Sequence, residues 1–229
     1  MLRRKIIKIF FCYSSEMRNI VSHVQRHCMN LNVIVDDWYM LETLSWECYG
    51  AMGDSKKTPQ DYYDQEILSS DYVVFILGEN VYSGVRHELN LCCEHVLSGK
   101  KRKPQVLLFL KRSVYGGDKI NSLAIPSERF TYCLFSSRYE IADNMILVLG
   151  RKLKSRLRAI KHNEPEDGHA EDDKITQAVS LLSTKMIKSR AHTHKVSFRP
   201  KSLSTKAIMS RVEKDVTTVR YDNKDGFID

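Results

Sequence analysis

Glu88 is the residue of this sequence whose type and position are best suited to chemistry. It follows a short apolar run at residues 72–77, rich in β-branched and aromatic side chains, which predicts a strand buried on both faces of a parallel sheet. Turn residues occupy 78–84, and apolar residues then recur at helical spacing from Val85 to Val96, so Glu88 lies in the first turns of a helix. Ligands of open α/β sheets bind in the crevice at the carboxyl ends of the strands. A carboxylate there can stabilise a positive charge or act as a nucleophile, although the helix dipole alone also favours an acid in a first turn.

The segments around Glu88 predict an α/β protein. Apolar runs and helical patterns alternate along the first 160 residues. The predicted strands cover 5–12, 31–35, 72–77, 105–110 and 130–135, and the predicted helices cover 16–29, 58–69, 85–96 and 138–160. The connections are long enough for right-handed crossovers, which favours a flavodoxin-like, doubly wound, five-stranded parallel sheet. The long connection at 38–57 carries several aromatic residues, and loops of this length are often functional.

Composition and charge narrow the classes of partner. The net charge is +8 and the pI is near 9.1, but the basic residues lack the aromatic interleaving of single-strand binders, so we do not expect nucleic acid as a partner. No run of about 18 apolar residues predicts a membrane span, and Lys8 interrupts the apolar start, which we interpret as a first strand and not a signal peptide. The six cysteines lack metal-ligand spacing, and free thiols favour a reducing cytoplasm. His23 and His27 stand four residues apart without a third ligand, so we predict no metal site.

Composition changes after residue 160, so we divide the chain into a domain at 1–160 and an extension at 161–229. Residues 161–173 are polar and are typical of a linker. An amphipathic helix is predicted at 175–187 and a shorter helix at 205–212, in a basic region rich in Ser and Thr. This extension is too poor in large apolar side chains to form its own core. It docks on the first domain or on a second copy, or it begins a further module.

Several segments of the first 157 residues resemble the TIR domain, in particular divergent bacterial TIR-like domains. Five segments occur in the family's order. They are a strand followed by a Ser-containing loop (residues 8–15), a strand ending in acidic residues (33–37), a helix followed by Ser and an apolar strand (67–77), a Glu-Leu pair after a short loop (85–89), and a turn with an apolar strand (99–110). The sequence departs from the family pattern in its longer loop after the second strand, which lacks Leu-x-x-Gly, and in the absence of Trp-Cys before Glu88.

The resemblance implies an enzyme that hydrolyses or cyclises NAD and releases nicotinamide, with Glu88 as the catalytic carboxylate. The family resemblance also implies bacterial anti-phage defence or immune signalling, activation by self-assembly into a homo-oligomer, and a partner or sensor module at the extension. NAD is then the substrate, and we expect no permanently bound cofactor. We expect six residues near strand ends to bind the nucleotide through hydrogen bonds or ring stacking: Tyr13, Ser14, Ser15, Asp37, Trp38 and Tyr82. Lys56, Lys57 and Arg86 are suited to offset phosphate charge.

Other interpretations remain open. Tyr13, Ser14 and Ser15 are also typical of the start of a helix, and Trp38 is also typical of an aromatic residue packed under a loop. The domain as a whole is alternatively a non-catalytic interaction module that recruits similar domains. A third alternative is an enzyme similar to nucleoside deoxyribosyltransferases, which also use a Glu near the end of a strand.

Overall fold

A computed structural model describes residues 4–48, 58–98, 104–115, 130–161 and 169–192. Five strands form one sheet in which every neighbouring pair is parallel. The strands are β1 (Lys5–Tyr13), β2 (Tyr39–Ser45), β3 (Tyr72–Leu77), β4 (Gln105–Lys111) and β5 (Phe130–Phe135). Their order across the sheet is β2-β1-β3-β4-β5, the order of flavodoxin-like doubly wound folds, which confirms the predicted fold class.

Six α-helices accompany the strands in the described residues: α1 (Arg18–Val35), α2 (Pro59–Ser69), α3 (Ser83–Leu97), α4 (Arg112–Tyr115), α5 (Arg138–Lys161) and α6 (His169–His192). Two buried clusters lie on opposite faces of the sheet, because successive side chains of β1 alternate between them. Helices α1, α5 and α6 cover the face that receives Phe11, and α3 covers the face that receives Cys12. None of the helices in the described part of the chain has an apolar stretch of the length that a membrane span requires.

The predicted second strand at 31–35 is wrong. Residues 31–35 form the last turns of α1, because Leu31 and Val35 continue the buried stripe of Val21, Val24 and Cys28 at spacings of three and four residues. The second strand is β2, which lies inside the segment predicted as a long connection. The remainder of that connection, residues 49–57, lies outside the described residues.

Asn32 of α1 fixes the helix to the outer edge of the sheet. Its Nδ2 donates to the Leu41 carbonyl at 3.0 Å, and the Leu41 N–H donates to its Oδ1 at 2.6 Å. Because β2 is an edge strand of the sheet that the structure describes, this amide supplies partners for two backbone groups that no other described strand pairs.

Helix α6 shares the core of the sheet-covering helices. Ile175, Ala178 and Leu182 are buried in the same cluster as α1 and α5. Gly150 of α5 permits close approach, because a Cβ there would lie 2.9 Å from Met186 Cγ. The helix predicted at 175–187 is therefore part of a longer helix that packs on the first 160 residues, whereas the helix predicted at 205–212 lies outside the described residues.

Candidate functional site

Glu88 lies on the buried side of α3. It is the sixth residue of the helix, and the exposed fraction of the residue is 6%. Val85, Leu89 and Cys92 occupy the same buried side, because residues three and four apart share one face of a helix. The helix that the apolar spacing predicted thus turns Glu88 towards the sheet instead of towards solvent.

The Glu88 carboxyl lies close to β1. Cys12 lies at the last position but one of β1, and its side chain is near enough to Glu88 that hydrogen bonding between them lowers the pKa of the carboxyl. Cys12 is itself buried, and both burial and the nearby Glu88 charge raise the pKa of its thiol. Glu88 therefore connects the helix that follows β3 with the end of β1. Strands β1 and β3 are neighbours in the sheet.

Burial raises the pKa of Glu88 from 4.5 to about 7. The Asp64 carboxylate raises this pKa further, whereas the Cys12 hydrogen bond and His87 lower it. The loss of hydration is the largest of these causes, because a charged carboxylate is poorly solvated among apolar side chains. Near pH 7 the group is thus divided between its acid and its carboxylate, a property that general acid–base chemistry uses.

Asp64 and His87 form a second polar group beside Glu88. His87 Nε2 lies 2.9 Å from Asp64 Oδ2, and Gln60 Nε2 donates to Asp64 Oδ1 at 2.8 Å. Helix α2 positions Asp64, and α3 positions His87. The start of α2 is fixed by Thr58, whose N–H donates to the Asp61 carboxylate at 2.7 Å in a capping box. The sequence predicted a helix at 58–69, but it singled out neither Asp64 nor His87.

Tyr13, Ser14 and Ser15 lie where β1 ends, at the carboxyl edge of the sheet. Tyr13 is buried on the α1 side, and burial raises its pKa to about 12. Ser14 is also buried, but its hydroxyl neither caps the following 3-10 turn nor hydrogen-bonds to any other residue that the structure describes. Ser15 is exposed. A free buried hydroxyl at a strand end is unusual, because buried polar groups normally have partners.

The loop after β3 meets the loop after β1 at the same edge. Asn80 Nδ2 donates to Glu16 Oε2 at 3.4 Å. Gly78 lies against the ends of the Met17 and Glu16 side chains, which would have to shift to make room for a Cβ at this position. Tyr82 is exposed at the N-cap of α3, about 9 Å along the helix from Glu88.

The structure does not bring Asp37 and Trp38 together with Glu88. Both follow α1 and precede β2, so they lie at the amino edge of the sheet, opposite the crevice. The prediction that they follow a strand is wrong, because residues 31–35 are the end of α1 and the second strand begins only at Tyr39. Asp37 is exposed and lies 3.8 Å from Lys174 Nζ of α6, whereas Trp38 is buried in the core, which agrees with the alternative of structural packing.

Trp46 is an aromatic residue at the carboxyl edge that the sequence did not single out as a binding residue. It follows β2 directly, and its ring lies 6.3 Å from that of Tyr13, measured between centroids. The Arg18 guanidinium lies 5.7 Å from the Trp46 ring centroid. The correct position of β2 would have revealed it, because residues after a parallel strand collect at this edge.

The remaining charged candidates are Arg86, Lys56 and Lys57. Arg86 is exposed on α3, and Lys56 and Lys57 lie outside the described residues. Among the residues with described side chains, no group of three His, Cys, Asp or Glu residues is suited to hold a metal ion.

No model of a protein family matches the chain. No curated protein matches it at a significant level either.

Proposed function

We propose that the chain is a TIR-like enzyme that cleaves NAD at the bond between nicotinamide and ribose. The observation that carries the proposal is the position of Glu88, whose buried carboxyl joins the helix after β3 to the end of β1. In the order β2-β1-β3-β4-β5, the chain winds away in opposite directions from β1 and β3. Ligands of doubly wound folds bind at that switch point.

Cleavage of the bond between nicotinamide and ribose requires only one carboxylate from the protein. The bond between C1′ of the ribose and the nicotinamide nitrogen breaks with its electron pair going to nitrogen, and nicotinamide leaves as a neutral molecule. The ribose ring then carries a developing positive charge, which an ionised Glu88 stabilises. The apolar surroundings that raise the pKa of Glu88 also strengthen its attraction to this cation.

Residues at the carboxyl edge are suited to hold the rest of the nucleotide. The Ser14 hydroxyl has no partner among the described residues and can hydrogen-bond to a ribose hydroxyl. Tyr82 presents an exposed ring for stacking on nicotinamide or adenine. Asp37 and Trp38 do not bind the nucleotide in this proposal, because they lie at the opposite edge of the sheet.

The family resemblance implies self-assembly, and self-assembly would explain how the buried Glu88 becomes accessible to a substrate. With an exposed fraction of 6%, the carboxylate needs a rearrangement before it meets a ribose, and contact with a second copy is a means to it. We therefore expect cleavage to increase more steeply than in proportion to protein concentration. We also propose that the protein acts in bacterial defence and that a partner or sensor module is associated with residues 161–229.

The enclosure of Glu88 also favours one alternative, a non-catalytic interaction module. Nicotinamide release by concentrated full-length protein separates the two functions. The enzyme releases nicotinamide, and Glu88→Gln abolishes the release. Glu94→Gln is the matched control, because Glu94 is an exposed carboxylate on the same helix and should leave the rate unchanged. If concentrated wild-type protein leaves both NAD and nucleosides intact, the interaction module is correct. If it cleaves nucleosides and leaves NAD intact, the chain is similar in activity to deoxyribosyltransferases.

A further inference from the structure

The Asp64–His87 pair has the geometry of a general base. The carboxylate oxygen Oδ2 lies 2.9 Å from His87 Nε2, and Gln60 holds the other oxygen of Asp64 at 2.8 Å. Asp64 is thereby fixed in orientation by its own helix while it faces α3. Within the described residues, Asp64 is the only residue that hydrogen-bonds to the His87 ring.

This arrangement sets the tautomer of the imidazole. When Nε2 carries the proton that it donates to Asp64, Nδ1 keeps a lone pair that accepts a proton. The His87 side chain is half exposed, with 52% of its surface accessible, so water can reach it. His87 directly precedes Glu88 in the chain, and its charge influences the Glu88 carboxyl.

Hydrolysis requires a proton acceptor that the first bond cleavage does not. After nicotinamide has left, a water oxygen forms a bond to C1′ and must lose one proton. Glu88 is occupied in stabilising the cation, so a separate base is an advantage.

We propose that His87, oriented by Asp64, accepts the proton of the attacking water in the hydrolytic step at Glu88. The water oxygen bonds to C1′, its proton moves to His87 Nδ1, and the imidazolium is stabilised by the Asp64 carboxylate until it returns the proton to solvent. His87 is then a catalytic residue and Asp64 a positioning residue. This inference rests on the proposed NAD cleavage and adds the group that completes it.

Competition between water and a pyridine tests the proposal, because a neutral pyridine attacks C1′ through its ring nitrogen and has no proton to lose. The full-length protein is supplied with NAD and an added pyridine, and both the ADP-ribose and the pyridine-exchanged dinucleotide are measured. We expect His87→Asn to reduce hydrolysis about 100-fold while exchange changes less than about threefold. Asp64→Asn should act in the same direction, because its amide can donate to Nε2 and so place the imidazole proton on Nδ1.

His95→Asn is the matched control, since His95 lies two helical turns further along α3, about 12 Å from His87. It should leave both products as in the wild type. An unchanged ratio of hydrolysis to exchange in His87→Asn, whatever the total rate, would give the pair a structural role and overturn the inference. That outcome differs from a wild-type protein that releases no nicotinamide, which would remove the proposed function and this step with it.

Discussion

The thiol of Cys12, at the end of β1, lies beside the carboxyl of Glu88 on the buried side of α3, and hydrogen bonding between the two side chains lowers the pKa of the carboxyl. One apolar face of the sheet therefore contains an acidic group at the point where two neighbouring strands meet a helix. The burial that encloses this group also raises its pKa to about 7, so its ionisation is coupled to the stability of the fold.

The stability of the protein should fall as Glu88 ionises. The pKa of this group is about 7 in the folded chain and near 4.5 in the unfolded chain, so its favourable contribution is complete below pH 4.5 and disappears as pH rises through 7. Glu88→Gln removes this dependence. We expect the free energy of unfolding of Glu88→Gln, relative to the wild type, to rise by about 3 kcal/mol between pH 4 and pH 8. Urea denaturation across that range measures it, with Glu94→Gln as the control, and parallel curves for wild type and Glu88→Gln would contradict the assignment.

The rate of NAD cleavage should rise with pH through about 7. Only the ionised carboxylate stabilises the ribosyl cation, so kcat/KM should change about tenfold per pH unit on the acid side. Initial rates of nicotinamide release between pH 5 and pH 9 measure the profile. A rate independent of pH across this range would show that the Glu88 charge does not act on the reaction.

Helix α6 should be an integral part of the folded unit. Leu182 is completely buried in the core shared with α1 and α5, whereas its neighbour Leu181 has an exposed fraction of 49%. We expect Leu182→Ala to lower the free energy of unfolding by about 2–4 kcal/mol and Leu181→Ala to lower it by less than about 1 kcal/mol. Thermal unfolding of both variants gives the comparison. Equal effects would mean that α6 does not pack on the sheet-covering helices.

The contact of Asn32 with Leu41 should hold α1 against the edge strand. Asn32→Ala removes both hydrogen bonds and leaves two backbone groups of β2 without their partner. We expect a loss of about 1–3 kcal/mol in the free energy of unfolding. Asn30→Ala, at an exposed position of the same helix, is the control, and a loss in Asn32→Ala no larger than in Asn30→Ala would contradict the contact.

The central strands could be predicted from the sequence because both of their faces are buried, so that each appears as a continuous run of apolar residues. All six residues of β3 are buried, and the run of β-branched and aromatic residues is unambiguous. Strand β2 was missed because it lies at the edge, where Met40 is exposed and residues 42–44 are only half-buried. The apolar run at 31–35 was mistaken for a strand because short apolar runs fit both periodicities until the preceding stripe of α1 is taken into account.

The position of Glu88 could be predicted from local spacing, whereas its partners could not. Its place among Val85, Leu89 and Cys92 follows from helical periodicity. The contacts with Cys12 and Asp64 join three elements that are distant in sequence, and only the packing of α2 and α3 on the sheet brings them together. The error at Asp37 and Trp38 followed entirely from the misplaced second strand.

Nicotinamide release from NAD by concentrated full-length protein is the most direct test of catalysis at Glu88. The wild type and Glu94→Gln should release nicotinamide at equal rates at pH 8, and Glu88→Gln should reduce the rate by at least about 100-fold. Equal release by wild type and Glu88→Gln, or no release by the wild type at any concentration, would contradict catalysis at Glu88.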